Sequence, residues 1–316
     1  MNPAQRTQKR IPRFVYSPGY YCDVGPHVFR TDKYRRLHDK MVKSSLVAPE
    51  DFLTPEPATR QDLELVHTPR YLDDLLSCRY TPRTASSELP ISKEIVNAFI
   101  LGAGGTILAC RLAVTEHTFA MNMAGGFHHA FPDWAEGFCY VNDVAVGIRR
   151  LRRDGLVHRA LVVDCDLHQG NGTAYIFQKE PEVFTFSIHE EDIFPVKRKS
   201  SLDIGLPSFC GGELYLSELG RALLGILERH RPEFVLYVAG ADPYEKDQLG
   251  TLRLGIAHLK RRDEIVLGAC AERGIPVAVT LAGGYAPNVE DTVQIHYGTA
   301  VSMVGSLDKL GPYSDG

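Results

Sequence analysis

Two runs, VLYVAG at 235–240 and VAVTLAG at 277–283, are apolar at almost every position rather than at every second one. A strand with one wet face alternates; a strand covered on both faces does not, and double coverage is the habit of parallel sheets wrapped by helices. Short runs of the same character lie at 14–16, 118–123, 160–165, 183–188, 234–239 and 276–281. Helical periodicity falls between them, at about 92–115, 141–154, 170–179, 213–230, 253–273 and 287–305. Strand–helix alternation calls for right-handed crossovers. The chain is therefore predicted to be α/β, a single-domain three-layer αβα sandwich with a mostly parallel central sheet.

Its 316 residues suit one large domain, predicted to cover 13–305 between a flexible N-terminal tail, 1–12, and a C-terminal tail, 306–316. Segments 78–92 and 190–212 break the periodicity and read as long loops, which in compact domains are often functional. With 35 basic and 39 acidic residues the net charge is −4, so no basic excess supports a direct nucleic-acid partner. A cationic substrate would have to be drawn by carboxylates local to its site. No run approaches the roughly 18 apolar residues of a membrane span. The opening MNPAQRTQKRIPRF lacks the apolar core of a secretory signal. Seven cysteines, without a CxxC pair, predict a reducing, cytoplasmic setting and no structural disulfides.

Chemistry concentrates where the apolar runs stop. ALVV leads into Asp164-Cys165-Asp166-Leu167-His168. In extended backbone, residues two apart share a face, so these acids and the imidazole converge at the strand's carboxyl end, where α/β sheets place ligands. One Asp and one His can supply two ligands of a catalytic zinc. The plainer alternative is that an aspartate caps the following helix. Gly125-Gly126-Phe127-His128-His129 follows another strand, and Phe131, Trp134, Phe138 and Tyr140 come after it, aromatics fit to line a tunnel or an ordinary core. Asp242 ends FVLYV, and Gly283-Gly284-Tyr285 follows VAVT. Four clusters at four strand ends are what a metal site on the upper edge of a parallel sheet requires. Gly102-Ala103-Gly104-Gly105 has no strand leading into it, so close helix packing explains it better than a dinucleotide fingerprint.

Taken together, GGFHHA, GFCYVND, DCDLHQGNG, AGADPYEKDQLG and LAGGY resemble the zinc-dependent histone deacetylase family, with its arginase/deacetylase fold, over roughly residues 13–305. IVNAFILGAGGTILACRLA, and Ala282 before the GGY, look closest to the class IV branch and its bacterial relatives. The resemblance implies Asp166, His168 and Asp242 as zinc ligands, with iron(II) suited to the same donors. It implies His128 and His129 as the tandem histidines, His129 being the general base, and Tyr285 as the hydrogen-bond donor to the scissile carbonyl. The resemblance also implies Asp164 as the carboxylate partner of His128. Asn171 stands behind His129 where some members carry aspartate, which should leave His129 less easily protonated. Gly126, Phe138 and Phe194 fall where the family lines its acyl tunnel. A structural K+ or Na+ would use backbone oxygens of Asp164, Asp166, His168 and Ile188 with the Ser187 hydroxyl.

The implied activity is removal of acetyl or longer fatty-acyl groups from the ε-amino group of lysine in proteins or peptides. An acetylpolyamine or other small-molecule amidohydrolase is the alternative. A non-catalytic acyl-lysine-binding module predicts loss of a ligand, a histidine or the tyrosine, and all are present. An arginase-like binuclear manganese site needs carboxylates that the His128-His129 and Asn171 positions do not supply. No rim aspartate is evident in the 78–92 loop; Glu88 and Asp23 are the candidate substitutes.

Overall fold

The computed structural model of the protein describes residues 11–310. In chain order it comprises β1 (Arg13–Val15), α1 (Asp32–Lys43), β2 (Phe52–Leu53), α2 (Arg60–Leu63), α3 (Pro69–Leu76), α4 (Pro82–Ala85), α5 (Lys93–Thr115), β3 (Phe119–Asn122), α6 (Asp143–Arg153), β4 (Ala160–Asp164), α7 (Asn171–Phe177), β5 (Val183–Glu190), β6 (Leu202–Leu206), α8 (Gly212–His230), β7 (Phe234–Val238), α9 (Ile256–Glu272), β8 (Val277–Thr280) and α10 (Val289–Leu307). Most of the two predicted tails lies outside the described residues.

All eight strands pair in parallel, in the order β2-β1-β3-β8-β7-β4-β5-β6. The sheet is thus wholly rather than mostly parallel. Alternate residues of one strand enter different cores. Leu161, Val163 and Cys165 pack with α8, α9 and α10, whereas Ala160 and Val162 pack with α5 and α6 on the other side. Burying each large apolar side chain contributes about 1.5–3 kcal/mol, and in the central strands β3, β4, β7 and β8 hydrophilic side chains are kept out until the last residue or beyond. That selection places the acids and imidazoles on one edge of the sheet.

Two strands were not expected. β6 lies inside the predicted 190–212 loop, where Leu202-Asp203-Ile204-Gly205-Leu206 alternates on a half-exposed sheet edge. Asp and Gly disfavour strands, and only pairing with β5 recruits this segment. β2 is two residues long, too short for any periodicity. The predicted 78–92 loop contains the short helix α4.

Helix α5 corrects the expectation about membrane spans, because it is long and apolar enough to cross a bilayer. It is instead a core helix: Ile95, Phe99, Ala103, Ala109 and Cys110 are buried. Its glycines serve packing, as expected. A Cβ on Gly104 would lie 1.9 Å from the Glu56 carbonyl oxygen, and one on Gly105 2.1 Å from the Tyr20 hydroxyl.

Candidate active site

Strands β3, β8, β7 and β4 are adjacent in the middle of the sheet. The four motifs that follow them, far apart in sequence, therefore share one rim. Beyond Asp164 the chain does not stay extended, contrary to the simple alternation argument. The Asp166 amide donates to Asp164 Oδ1 at 3.1 Å and the His168 amide to Asp166 Oδ1 at 2.9 Å. These side-chain-to-backbone turns coil the segment and bring the groups inward.

His168 Nδ1 lies 3.3 Å from Asp166 Oδ1 and 3.3 Å from Asp242 Oδ2. The three side chains offer one ligand atom each within 4.8 Å of one another, all buried. Asp242 Oδ1 accepts from the Leu167 amide at 3.0 Å and Asp166 Oδ2 from the Gly283 amide at 2.9 Å, which aims the remaining oxygens at the imidazole. Asp242 Oδ2 is buried and accepts no hydrogen bond. An orphaned carboxylate oxygen costs several kcal/mol unless a cation meets it. Tetrahedral bonds of about 2.0–2.1 Å put ligand atoms about 3.3 Å apart, the distance of His168 Nδ1 from each carboxylate oxygen, so this set of one nitrogen and two oxygens fits a catalytic divalent metal. Burial raises Asp242 to about 7, reinforced by the Asp166 charge and opposed only in part by the His168 imidazole that lies between the two carboxylates.

The GGFHHA turn is held by Asp143, whose carboxylate accepts the Gly126 and Phe127 amides at 3.0 and 2.7 Å. Gly125 and Gly126 have φ of 76° and 81°, and a Cβ on Gly126 would meet the Ala282 Cβ at 2.7 Å. The two histidine rings emerge 4.1 Å apart with opposite electrostatics. Burial opposes charge on His128, but Asp164, bonded to its Nδ1 at 2.7 Å, together with Asp166 and Asp242, outweighs it and raises the ring to about 9. His129 is held well below 6.5 by burial and by its two imidazole neighbours, and Asn171 Oδ1, 2.9 Å from Nδ1, offsets this only in part.

Tyr285 faces the same cavity. Burial and the Asp242 and Asp166 charges push its hydroxyl well above 10, so it stays a donor. Its amide donates to Asp247 Oδ2 at 2.7 Å, and its carbonyl accepts Gln248 Nε2 at 2.5 Å. Behind it, the buried Lys33 Nζ donates to the Ala282 carbonyl at 2.8 Å and lies 5.8 Å from the Tyr285 ring centre. Burial lowers Lys33 to about 8 against the pull of Asp242, Asp166 and Asp247.

A cavity of about 260 Å3 opens over the site, lined by Glu88, His129, Gly137, Phe138, His168, Phe194, Leu249 and Tyr285. Phe138 and Phe194 are thus where a tunnel wall was expected. Gly126 is not among the lining residues; it packs behind, against Ala282. Glu88 is at the mouth, whereas Asp23 lies elsewhere and bonds the Gly25 amide. Ser187 is paired with Asp164 in the β4–β5 register, next to buried Ile188, and its hydroxyl is 2.9 Å from His189 Nδ1. Asp143, Lys33, Asp247 and Leu249 escaped the sequence reading. Only Asp143 carried a local signal, a buried-type acid just after the helix-capping Asn142.

A metal site beside a hydroxyl donor and a neutral imidazole, at the base of an apolar slot, defines a metal-dependent amidohydrolase. Residues 27–299 match the histone deacetylase domain, and the chain belongs to the histone deacetylase family. It is 42% identical to an uncharacterized protein of Picosynechococcus, over 89% of this chain and 95% of that one. It is 30% identical to histone deacetylase 2 of Arabidopsis thaliana, over 82% of this chain and 70% of that one. A solved histone deacetylase homologue complexed with SAHA superposes with a TM-score of 0.83 at 26% identity, covering 94% of this chain and 84% of that one.

Proposed function

We propose that the protein is a zinc-dependent lysine deacylase of the class IV type, removing acetyl or longer fatty-acyl groups from lysine ε-amines of proteins or peptides. The observation that carries this reading is the slot between Phe138, Phe194 and Leu249 with His129, His168 and Tyr285 at its base. Apolar walls suit the unbranched methylene chain of an acylated lysine. An acetylpolyamine enzyme would want an acidic mouth, and Glu88 is the one carboxylate among the lining residues. Ser187 and Ile188, with the backbone oxygens of Asp164, Asp166 and His168, are proposed to hold the structural K+ or Na+. The seven unpaired cysteines support a cytoplasmic location.

Zinc on Asp166, His168 and Asp242 would supply Lewis acidity for the amide carbonyl and the attacking water. His129, neutral through burial, takes the water proton at Nε2 and returns it to the leaving amine. The Tyr285 hydroxyl donates to the carbonyl oxygen as it gains charge. His128, held cationic by Asp164, adds positive potential to the same place. Phe138 and Phe194 keep bulk water from the slot, which strengthens each of these interactions.

The test is turnover of acetyl-, short-acyl- and long-acyl-lysine peptides and of acetylpolyamines by the zinc-loaded protein. Hydrolysis of the lysine amides is expected. Preference for polyamines would replace the substrate class, and inactivity on every amide with one equivalent of metal bound would sink the reading.

A further inference from the structure

We infer that Glu136 is a positioning residue that fixes the tautomer of His129 through Asn171. The inference rests on the amide-hydrolysis reading for its consequence but on hydrogen-bond geometry for its content. Asn171 opens α7, and its Oδ1 accepts the Gly172 amide at 2.9 Å, which identifies that atom as the oxygen. The same oxygen lies 2.9 Å from His129 Nδ1. An amide oxygen only accepts, so Nδ1 carries the ring proton and Nε2 is left with its lone pair, as a base requires.

The other end of the amide is anchored by Glu136. Asn171 Nδ2 donates to Glu136 Oε1 at 2.7 Å, and Trp134 Nε1 donates to Glu136 Oε2 at 3.0 Å. Trp134 is itself stacked on Phe131, with ring centres 4.2 Å apart. A carboxylate only accepts. Flipping Asn171 would set its oxygen against Glu136 and its NH2 against both the Gly172 amide and His129 Nδ1. The flipped amide would then demand an Nε2–H tautomer, with no lone pair for the attacking water. Glu136, together with the Gly172 amide, opposes that state.

The backbone at Glu136 ties this relay to the tunnel wall. Glu136 and Cys139 exchange backbone hydrogen bonds of 3.2 and 2.9 Å around Gly137 and Phe138, whose φ values are 52° and 62°. Positive φ at both central residues is the tightest two-residue reversal, and it is unusual for phenylalanine. A Cβ on Gly137 would lie 2.6 Å from the His129 ring. One turn therefore carries Phe138 into the wall, presses Gly137 on the base and points Glu136 at the partner of that base.

The experiment compares Glu136→Ala, Glu136→Gln and Trp134→Phe in the zinc-loaded protein. It reads kcat, KM and the His129 tautomer from 15N chemical shifts of histidine-labelled enzyme. Glu136→Ala is expected to lower kcat about 10-fold or more with KM within about twofold, and to shift His129 away from Nδ1–H. Glu136→Gln keeps one oxygen for Asn171 and should retain Nδ1–H and most of kcat. Trp134→Phe leaves the Glu136–Asn171 bond in place and should retain the tautomer. An unchanged tautomer in Glu136→Ala would overturn the inference, as would equal kcat losses in all three variants with Nδ1 still protonated. A wild type inactive on amides would remove the proposed function while the tautomer measurement still decided the role of Glu136.

Discussion

Gly283 lies so close to Asp242 that a Cβ there would come within 2.1 Å of the orphaned Oδ2. The glycine after β8 thus leaves room for a carboxylate from the segment that follows β7, and the metal site depends on a side chain that is missing. Gly283→Ala is expected to reduce zinc affinity about 10- to 100-fold while the protein stays folded. Competition with a chromophoric chelator, with circular dichroism as control, measures it; unchanged affinity would argue against the Asp242 Oδ2 ligand.

Removing the metal should also weaken the fold. Asp166 and Asp242 are left facing each other, and Asp242 is held near 7 by burial and that neighbour. A ligand at 100 times its dissociation constant stabilises by about 2.7 kcal/mol, so dialysis against a chelator should lower Tm, and zinc should restore it. A Tm indifferent to zinc would count against the site.

Tyr285→Phe removes a donor that burial keeps protonated. Loss of one such donor typically lowers kcat by about 100- to 1000-fold. Zinc content and KM should change little. Near-normal kcat would remove Tyr285 from the chemistry.

Glu88, exposed at the mouth with φ of 64°, should bind substrate without touching the reacting bond. Glu88→Ala is therefore expected to raise KM for acyl-lysine peptides several-fold and leave kcat unchanged. A fall in kcat at constant KM would contradict a rim role.

Acid should loosen the platform under the histidine pair. His67 is fully buried, its Nε2 accepting the Asn142 amide at 3.0 Å and its Nδ1 3.1 Å from the Phe131 carbonyl. Burial lowers it from 6.5 to about 4, outweighing the Phe131 and Pro132 carbonyls. Between those values the unfolded chain binds a proton that the folded one refuses. The contribution of His67 is present above pH 6.5 and is lost as pH falls towards 4, by up to about 3 kcal/mol. A His67→Gln variant should be less stable at neutral pH but show a flatter dependence of Tm on pH in that window.

Strand ends were the legible part of this molecule. Apolar runs that stop at Asp164, Asp242, Gly125 and Leu281 placed the site on one rim, because parallel strands covered on both faces carry their polar groups mainly at the ends. The order that makes those four ends neighbours left no local trace, since register is a long-range property. The supporting residues were hidden for a related reason. Glu136 and Asp247 sit in irregular backbone, and Lys33 sits on α1, where a charge normally faces water; its burial follows from the Ala282 carbonyl and the Tyr285 ring, which arrive from a distant segment. Coiling of residues 164–168 by their own carboxylates was missed because the alternation argument assumed a strand that continues.

The position of β8 between β3 and β7 sets the sequence of events during synthesis. The nascent chain makes β1, β2 and β3 early and β4 to β7 later, and these two half-sheets meet only through a strand whose first residue is Val277. Until that strand leaves the ribosome, β3 and β7 are both open edges, able to pair with the wrong chain. Such long-range closure is slow. The protein is therefore most exposed to misassembly until β8 emerges, and the strand that ends this exposure also delivers Gly283 and Tyr285, so hydrolytic competence and a closed sheet are reached together.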